Sequence, residues 1–133
     1  MHATTTEEKI KTGGLCHIAI DVSDMDRSLK FYTDMFDMKI VGRTDHYIHV
    51  RTAGAHDNIF LFKADGAVNP KGCGLTHMHF GFKIDDKNFD RAMEYIKRNN
   101  VKIHPNPARG TGRFVYIEDP DGYVIQLEPG DCP

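Results

Sequence analysis

The chain of 133 residues has room for one domain of ordinary size. Its composition, 40% hydrophobic and 27% charged with a net charge of -2, is typical of a globular protein and supplies no basic surface for nucleic acid. No apolar run approaches the ~20 residues that cross a bilayer, and the first residues lack the hydrophobic segment of a signal peptide.

The chain begins with a polar stretch, and its first strand and helix follow at once. We expect residues 1–13 to form a flexible N-terminal tail and residues 14–133 to form a single domain. Residues 17–24 alternate apolar with small or polar side chains, which predicts a half-buried strand. Ser23 and Asp24 can cap a helix. Apolar residues recur at helical spacing from Met25 to Phe36, so an amphipathic helix is predicted there.

The same pattern returns in the second half of the chain. Residues 79–86 repeat the strand with a histidine, His79, at the position that His17 holds in the first half. A helix with Phe89, Met93 and Ile96 on one face is predicted to follow. A self-match of this kind indicates a duplicated structural unit.

Three strand-like runs follow each helix, at residues 39–43, 47–52 and 58–63 and again at 101–104, 114–117 and 123–128. Residues 54–57 and the Asp-Pro-Asp-Gly sequence of residues 119–122 predict hairpin turns. Residues 65–74, rich in Gly, Pro and Asn, form the predicted linker. The sequence therefore predicts an α+β fold of two βαβββ modules, module one at residues 14–64 and module two at 75–130.

Strand periodicity places two histidines on the face that points away from the helices. Side chains alternate along a strand, so His17 and His79 should look into whatever the sheets enclose. On the last strand, Gln126 and Glu128 share the corresponding face. Two imidazoles with one carboxylate or amide oxygen suit a divalent transition metal that keeps positions open for substrate. His77 lies on the same face as His79 and is the alternative second histidine.

The three cysteines include no Cys-x-x-Cys pair, which favours reduced thiols in a cytoplasmic protein. Cys16 has the parity of the apolar strand residues, so we expect it to be a small buried side chain.

Three stretches, at residues 15–36, 79–86 and 114–130, resemble the vicinal oxygen chelate superfamily, which includes glyoxalase I, fosfomycin and bleomycin resistance proteins and extradiol dioxygenases. The resemblance implies a curved, open, barrel-like sheet with the helices outside. It also implies a metal held by His17, His79 and a glutamate near the end. That glutamate is replaced here by Gln126, and a neutral amide is a weaker ligand than a carboxylate.

The resemblance also suggests residues for catalysis. Tyr116 matches the spacing of the active-site tyrosine in extradiol dioxygenases, and His56 resembles their acid–base histidine. The residues at 59–62 offer no carboxylate for the fourth ligand of a glyoxalase I site, which makes that activity less expected.

Two functions are consistent with these residues. The first is an enzyme of glyoxalase or dioxygenase type that acts on a small molecule with a divalent cation (Fe, Mn, Ni or Zn). The second is a metal-free protein that binds and sequesters a small, antibiotic-like molecule. In either case we expect a homodimer, with no nucleic acid or membrane partner.

Overall fold

A computed structural model describes residues 9–66, 68, 70, 79–104 and 115–130. Most of the predicted tail and linker, His77, and the start of the predicted strand at 114–117 lie outside these residues. Two helices and two sheets make up the fold, which is α+β as predicted. The elements are β1 (Ile18–Val22), α1 (Met25–Phe36), β2 (Met38–Arg43), β3 (Tyr47–Thr52), β4 (Ile59–Lys63), β5 (Phe80–Ile84), α2 (Asp86–Arg98), β6 (Val115–Glu118) and β7 (Val124–Pro129).

Both helices begin at an aspartate cap. The side chain of Asp24 accepts a hydrogen bond from the backbone N–H of Arg27, and Asp85 accepts one from Asn88. These bonds satisfy N–H groups that have no partner inside the helix. α1 ends at Asp37, whose φ of 51° is left-handed. Both helices bury the predicted apolar face against the sheets.

The first sheet has the strand order β1-β4-β3-β2. β1 pairs in parallel with β4, while the β2–β3 and β3–β4 pairs are antiparallel. In β3 the residues Ile48 and Val50 are fully buried, and Tyr47, His49 and Arg51 lie half-buried on the other face. The sheet therefore covers the core with one face and leaves a mixed polar and aromatic face open.

The second sheet repeats this topology in the order β5-β7-β6. β5 pairs in parallel with β7 as β1 does with β4, which bears out the duplication seen in the sequence. The predicted strand at residues 101–104 is reduced to one bridge between Ile103 and Ile117. Backbone hydrogen bonds from His104 to Tyr116 and from Glu118 to Lys102 flank that bridge. The two sheets are not closed into a barrel.

The turn at residues 119–122 joins module two to helix α1 of module one. Asp119 is buried and accepts a hydrogen bond of 2.7 Å from the hydroxyl of Tyr32, which is itself fully buried. Asp121 accepts hydrogen bonds from Ser23 and Arg27 at the start of α1. The turn motif therefore has a structural role that its hairpin signature alone does not reveal.

Burial perturbs both groups of this buried pair. It raises the pKa of Tyr32 well above its usual value, with the neighbouring Asp119 charge acting in the same direction. Burial also raises the pKa of Asp119, while the hydrogen bonds from Tyr32 and from the backbone N–H groups of Tyr123 and Asp121 oppose it. The Tyr32 hydroxyl therefore keeps its proton and donates a hydrogen bond to the Asp119 carboxyl. That hydrogen bond takes the place of water at the buried carboxyl.

Among the described residues, neither helix is long and apolar enough to cross a membrane.

The prediction that Cys16 is buried is wrong, because this residue precedes the first paired residue of β1 and is exposed.

Candidate functional site

The polar face of the second sheet brings three of the predicted site residues together. Gln126 on β7 is the register partner of Gly81 on β5 and of Tyr116 on β6. His79 immediately precedes β5, and its Nε2 atom lies 3.1 Å from Oε1 of Gln126. The rings of His79 and Tyr116 meet edge to face, with their centres 5.7 Å apart. One imidazole, one amide oxygen and one phenol thus share a small surface.

Gly81 is required for the close approach of β5 and β7 at this point. A Cβ atom added there would lie 2.9 Å from the backbone oxygen of Gln126 and 3.2 Å from its Cβ. Both distances are shorter than ordinary contacts between nonbonded atoms. The glycine therefore leaves Gln126 free to point its amide at His79.

His17 lies on the corresponding edge of the first sheet. It is exposed, and its ring meets that of Phe60 edge to face at 5.1 Å. His17 also lines a cavity of about 220 Å³ to which both modules contribute. The lining includes Ile18, Asn58, Phe80, Gly81 and Phe82. His17 and β5, the strand that pairs with the Gln126 strand, therefore line one cavity.

The strand registers show what replaces the second-module site in module one. Ala19 pairs with Phe60 as Gly81 pairs with Gln126, so Phe60 occupies the position of Gln126 in the first sheet. By the same correspondence, His49, the partner of Phe60, stands where Tyr116 stands. The two halves thus differ in chemistry: module two presents a polar ligand position, and module one presents an aromatic ring there.

The other predicted residues lie apart from this group. Glu128 pairs with Lys83, two residues further along β7 than Gln126 and on the same face. Within the part of the chain that the structure describes, no group of three or more His, Cys, Asp or Glu side chains could hold a metal, so Glu128 does not complete such a group with the two histidines. His56 is exposed in the turn between β3 and β4.

Sequence reasoning did not single out His49, Arg51 and Asn58, which form a connected group beside Phe60. Nε2 of His49 lies 2.7 Å from Oδ1 of Asn58, and Nε of Arg51 donates to the same oxygen at 3.0 Å. The His49 ring is stacked on Phe60 with a centre separation of 4.3 Å. The alternation of β3 was a usable signal, because it places His49 and Arg51 on the face opposite the core.

The chain matches the Glyoxalase/Bleomycin resistance protein/Dioxygenase superfamily over residues 14–127. It therefore belongs to that family, as the sequence motifs indicated. It is 32% identical over 130 residues to a probable chloroplastic lactoylglutathione lyase of Arabidopsis thaliana, covering 90% of this chain but only 37% of that protein. It is 30% identical over 118 residues to the metallothiol transferase FosB of Staphylococcus epidermidis, covering 86% of this chain and 80% of that protein.

Solved structures share the fold. The fosfomycin resistance protein FosX of Listeria monocytogenes, in a mutant form complexed with Mn(II) and 1S,2S-dihydroxypropylphosphonic acid, aligns with a TM-score of 0.76 at 23% identity. That alignment covers 91% of this chain and 93% of FosX. A glyoxalase/dioxygenase from Nostoc punctiforme aligns with a TM-score of 0.73 at 26% identity, covering 90% and 92% of the two chains. The relatives thus carry the names of enzymes, and one of these structures contains a divalent metal.

Proposed function

We propose that this protein is a metal-dependent enzyme that acts on a small molecule with vicinal oxygen atoms. The observation that carries the proposal is the contact of 3.1 Å between His79 and Gln126, because it brings two potential ligand atoms together on the open face of the sheet. His17, on the cavity between the two modules, is the proposed third ligand. Membership of the family, with its named enzymes, supports the same conclusion.

The ligand atoms suit a borderline divalent cation such as Mn, Fe, Ni or Zn. Imidazole nitrogen is a common ligand for these metals, and an amide oxygen can complete the set. A bound cation would act as a Lewis acid, stabilising negative charge that develops on a substrate oxygen. Because Gln126 is neutral, it would leave the charge of that cation undiminished, at the cost of weaker binding.

Two further residues receive roles in this proposal. Tyr116 lies against the edge of His79, where its hydroxyl could donate a hydrogen bond to an oxygen of the bound substrate. His56 is exposed in the turn next to Asp57, which lines the cavity, and we propose His56 as an acid–base residue at the rim. Tyr116→Phe removes the hydroxyl but keeps the ring and its packing. We therefore expect a loss of turnover with unchanged metal affinity.

One observation favours a second function, a metal-free protein that binds a small molecule. Gln126 supplies an amide where the family motif has a carboxylate, and the contact between Gln126 and His79 is a complete hydrogen bond without any metal. In that case the cavity beside His17 would hold the ligand through its apolar walls.

Metal reconstitution separates the two functions. The purified chain would be stripped of metal, titrated with Mn(II), Fe(II), Ni(II) and Zn(II), and analysed for bound metal. The variants His79→Ala and His56→Ala would be treated in the same way. We expect one equivalent in the wild type, loss of binding in His79→Ala and normal binding in His56→Ala. A wild-type chain that retains none of the four metals would leave the binding protein as the better account.

We also propose that the protein is a homodimer. Exposed apolar side chains on β2, Ile40 and Val41, support this proposal because burying them would be favourable. Size-exclusion chromatography with light scattering at micromolar concentration should give twice the chain mass. A monomer under those conditions would contradict the proposal.

A further inference from the structure

The orientation of the Asn58 side chain is determined by its partners. Its Nδ2 group donates hydrogen bonds to the backbone oxygens of Cys16, at 2.9 Å, and His56, at 3.3 Å. Carbonyl oxygens only accept, so the amide nitrogen must point at them and Oδ1 must point towards β3. Oδ1 accepts from Nε of Arg51, a group that can only donate, which is consistent with that orientation.

This orientation determines which nitrogen of neutral His49 carries the proton. Oδ1 of Asn58 is an acceptor, so Nε2 of His49, 2.7 Å away, is the protonated donor. The lone pair of the neutral ring is then on Nδ1. An imidazole held in one tautomer by a fixed acceptor is the arrangement that general bases require.

Nδ1 of His49 is accessible. The atom has no hydrogen-bond partner among the described residues, where no buried polar side-chain atom lacks a partner, so it must reach solvent. The Phe60 ring stacks on the His49 ring, and His17 contacts the same Phe60 ring edge to face. The free lone pair of His49 therefore lies on the face of the sheet that carries His17.

We propose that His49 is a further acid–base residue, beside the His56 proposed at the rim, and that Asn58 is the positioning residue of His49. This proposal rests on the proposed function, since a base requires a substrate. A hydroxyl of the bound substrate loses its proton to Nδ1 of His49, which leaves an oxyanion on the substrate and an imidazolium that still donates from Nε2 to Asn58. Returning that proton later in the reaction restores the neutral ring.

The surroundings of His49 favour an oxyanion beside it. β4 presents the aromatic side chains of Phe60 and Phe62 on this face, and Arg51 forms no ion pair among the described residues. A guanidinium without a carboxylate partner would stabilise the negative charge left on the substrate. The titratable and charged groups on this face of the neighbouring strands are Tyr47 and Arg51 on β3, His17 and Asp21 at β1, and Lys39 on β2.

The tautomer can be measured without any substrate. Long-range nitrogen–proton NMR spectra of protein labelled with ¹⁵N-histidine should show His49 protonated at Nε2 and unprotonated at Nδ1. Asn58→Ala should allow the other tautomer to become populated, while Asp57→Asn should not. A wild-type His49 protonated at Nδ1 would overturn the assignment, because its lone pair would then be directed at Asn58.

The role as a base is tested by counting protons. Acetohydroxamic acid chelates a metal through two oxygens and loses a proton as it does so, and calorimetry in buffers of different ionisation enthalpy reports how many protons reach the solvent. At a pH where His49 is neutral, the metal-loaded wild type should release close to none, because Nδ1 takes the proton. His49→Gln should release about one proton per site. His46→Gln, a change at an exposed histidine in the loop before β3, should resemble the wild type.

The outcomes separate this proposal from the proposed function. Equal proton release by wild type and His49→Gln, with both binding acetohydroxamate, would overturn the role of His49 and leave the metal site intact. A wild type that binds neither metal nor acetohydroxamate would overturn the proposed function, and the role of His49 with it. With a turned-over substrate, His49→Gln should lower kcat by about 10²–10⁴-fold at little cost in KM.

Discussion

Replacing Tyr32 with Phe tests the buried contact that joins the two modules. The substitution removes one hydroxyl and leaves the ring, so it breaks the hydrogen bond of 2.7 Å to Asp119 with little change in packing. A hydrogen bond to a charged group contributes ~1.5–3 kcal/mol, and loss of this one leaves a buried carboxylate less well solvated. Taking about 2 kcal/mol and the usual entropy of unfolding per residue, the midpoint Tm of a chain of this length should fall by roughly 7 °C.

The assay is thermal and urea unfolding at neutral pH, followed by circular dichroism. Tyr95→Phe is the matched control, because the Tyr95 hydroxyl has no hydrogen-bond partner among the described residues and its loss should change stability by less than ~0.5 kcal/mol. A Tm for Tyr32→Phe within about 2 °C of wild type would show that this hydrogen bond contributes little to holding the modules together.

Three further predictions concern Tyr32, the neighbouring Asp121 and the close approach of Gly81 to Gln126. Because burial raises the pKa of Tyr32 well above its usual value, the folded state keeps a proton that the unfolded state loses above about pH 10, so wild-type stability should fall as pH rises past that point. Urea titrations from pH 8 to 11 should show the fall in wild type but a smaller one in Tyr32→Phe, and parallel curves would contradict the shift. Asp121→Ala, which removes the acceptor for Ser23 and Arg27, should lower stability by about 1–3 kcal/mol in urea unfolding, whereas an unchanged midpoint would show that water replaces the carboxylate. Gly81→Ala should weaken metal binding by displacing Gln126, and calorimetry that gives wild-type affinity would show that β5 and β7 can separate without consequence.

The sequence was sufficient for the elements because their signals are local. Apolar periodicity and an aspartate cap predicted α1, and a strand-like run predicted β3, with the bounds that the structure shows. The strand predicted at residues 101–104 was reduced to a single bridge at Ile103, with one backbone hydrogen bond to β6 on either side of it. Cys16 was assigned to the core by extending the strand alternation one residue beyond the first paired residue of β1.

The candidate site was predicted only where two modules could be compared. The repeat aligned His17 with His79, and the family motif located Gln126, so the second-module group could be anticipated from residues alone. The connection of His49 and Arg51 to Asn58 could not be anticipated from the residues alone. Its existence depends on the register between β3 and β4 and on the direction of one amide, and neither property is encoded in the spacing of the residues.

Calorimetric titration of Mn(II) into three forms of the chain tests the metal site most directly. Gln126→Glu replaces a neutral ligand with a charged one of nearly equal size, and a gain of about 1.4 kcal/mol would lower the Kd tenfold. Glu128→Gln is the control, because Glu128 lies two residues along β7 from Gln126, beside Lys83. We predict tighter binding for Gln126→Glu and wild-type binding for Glu128→Gln. Unchanged affinity in Gln126→Glu, or loss of binding in Glu128→Gln, would contradict this prediction.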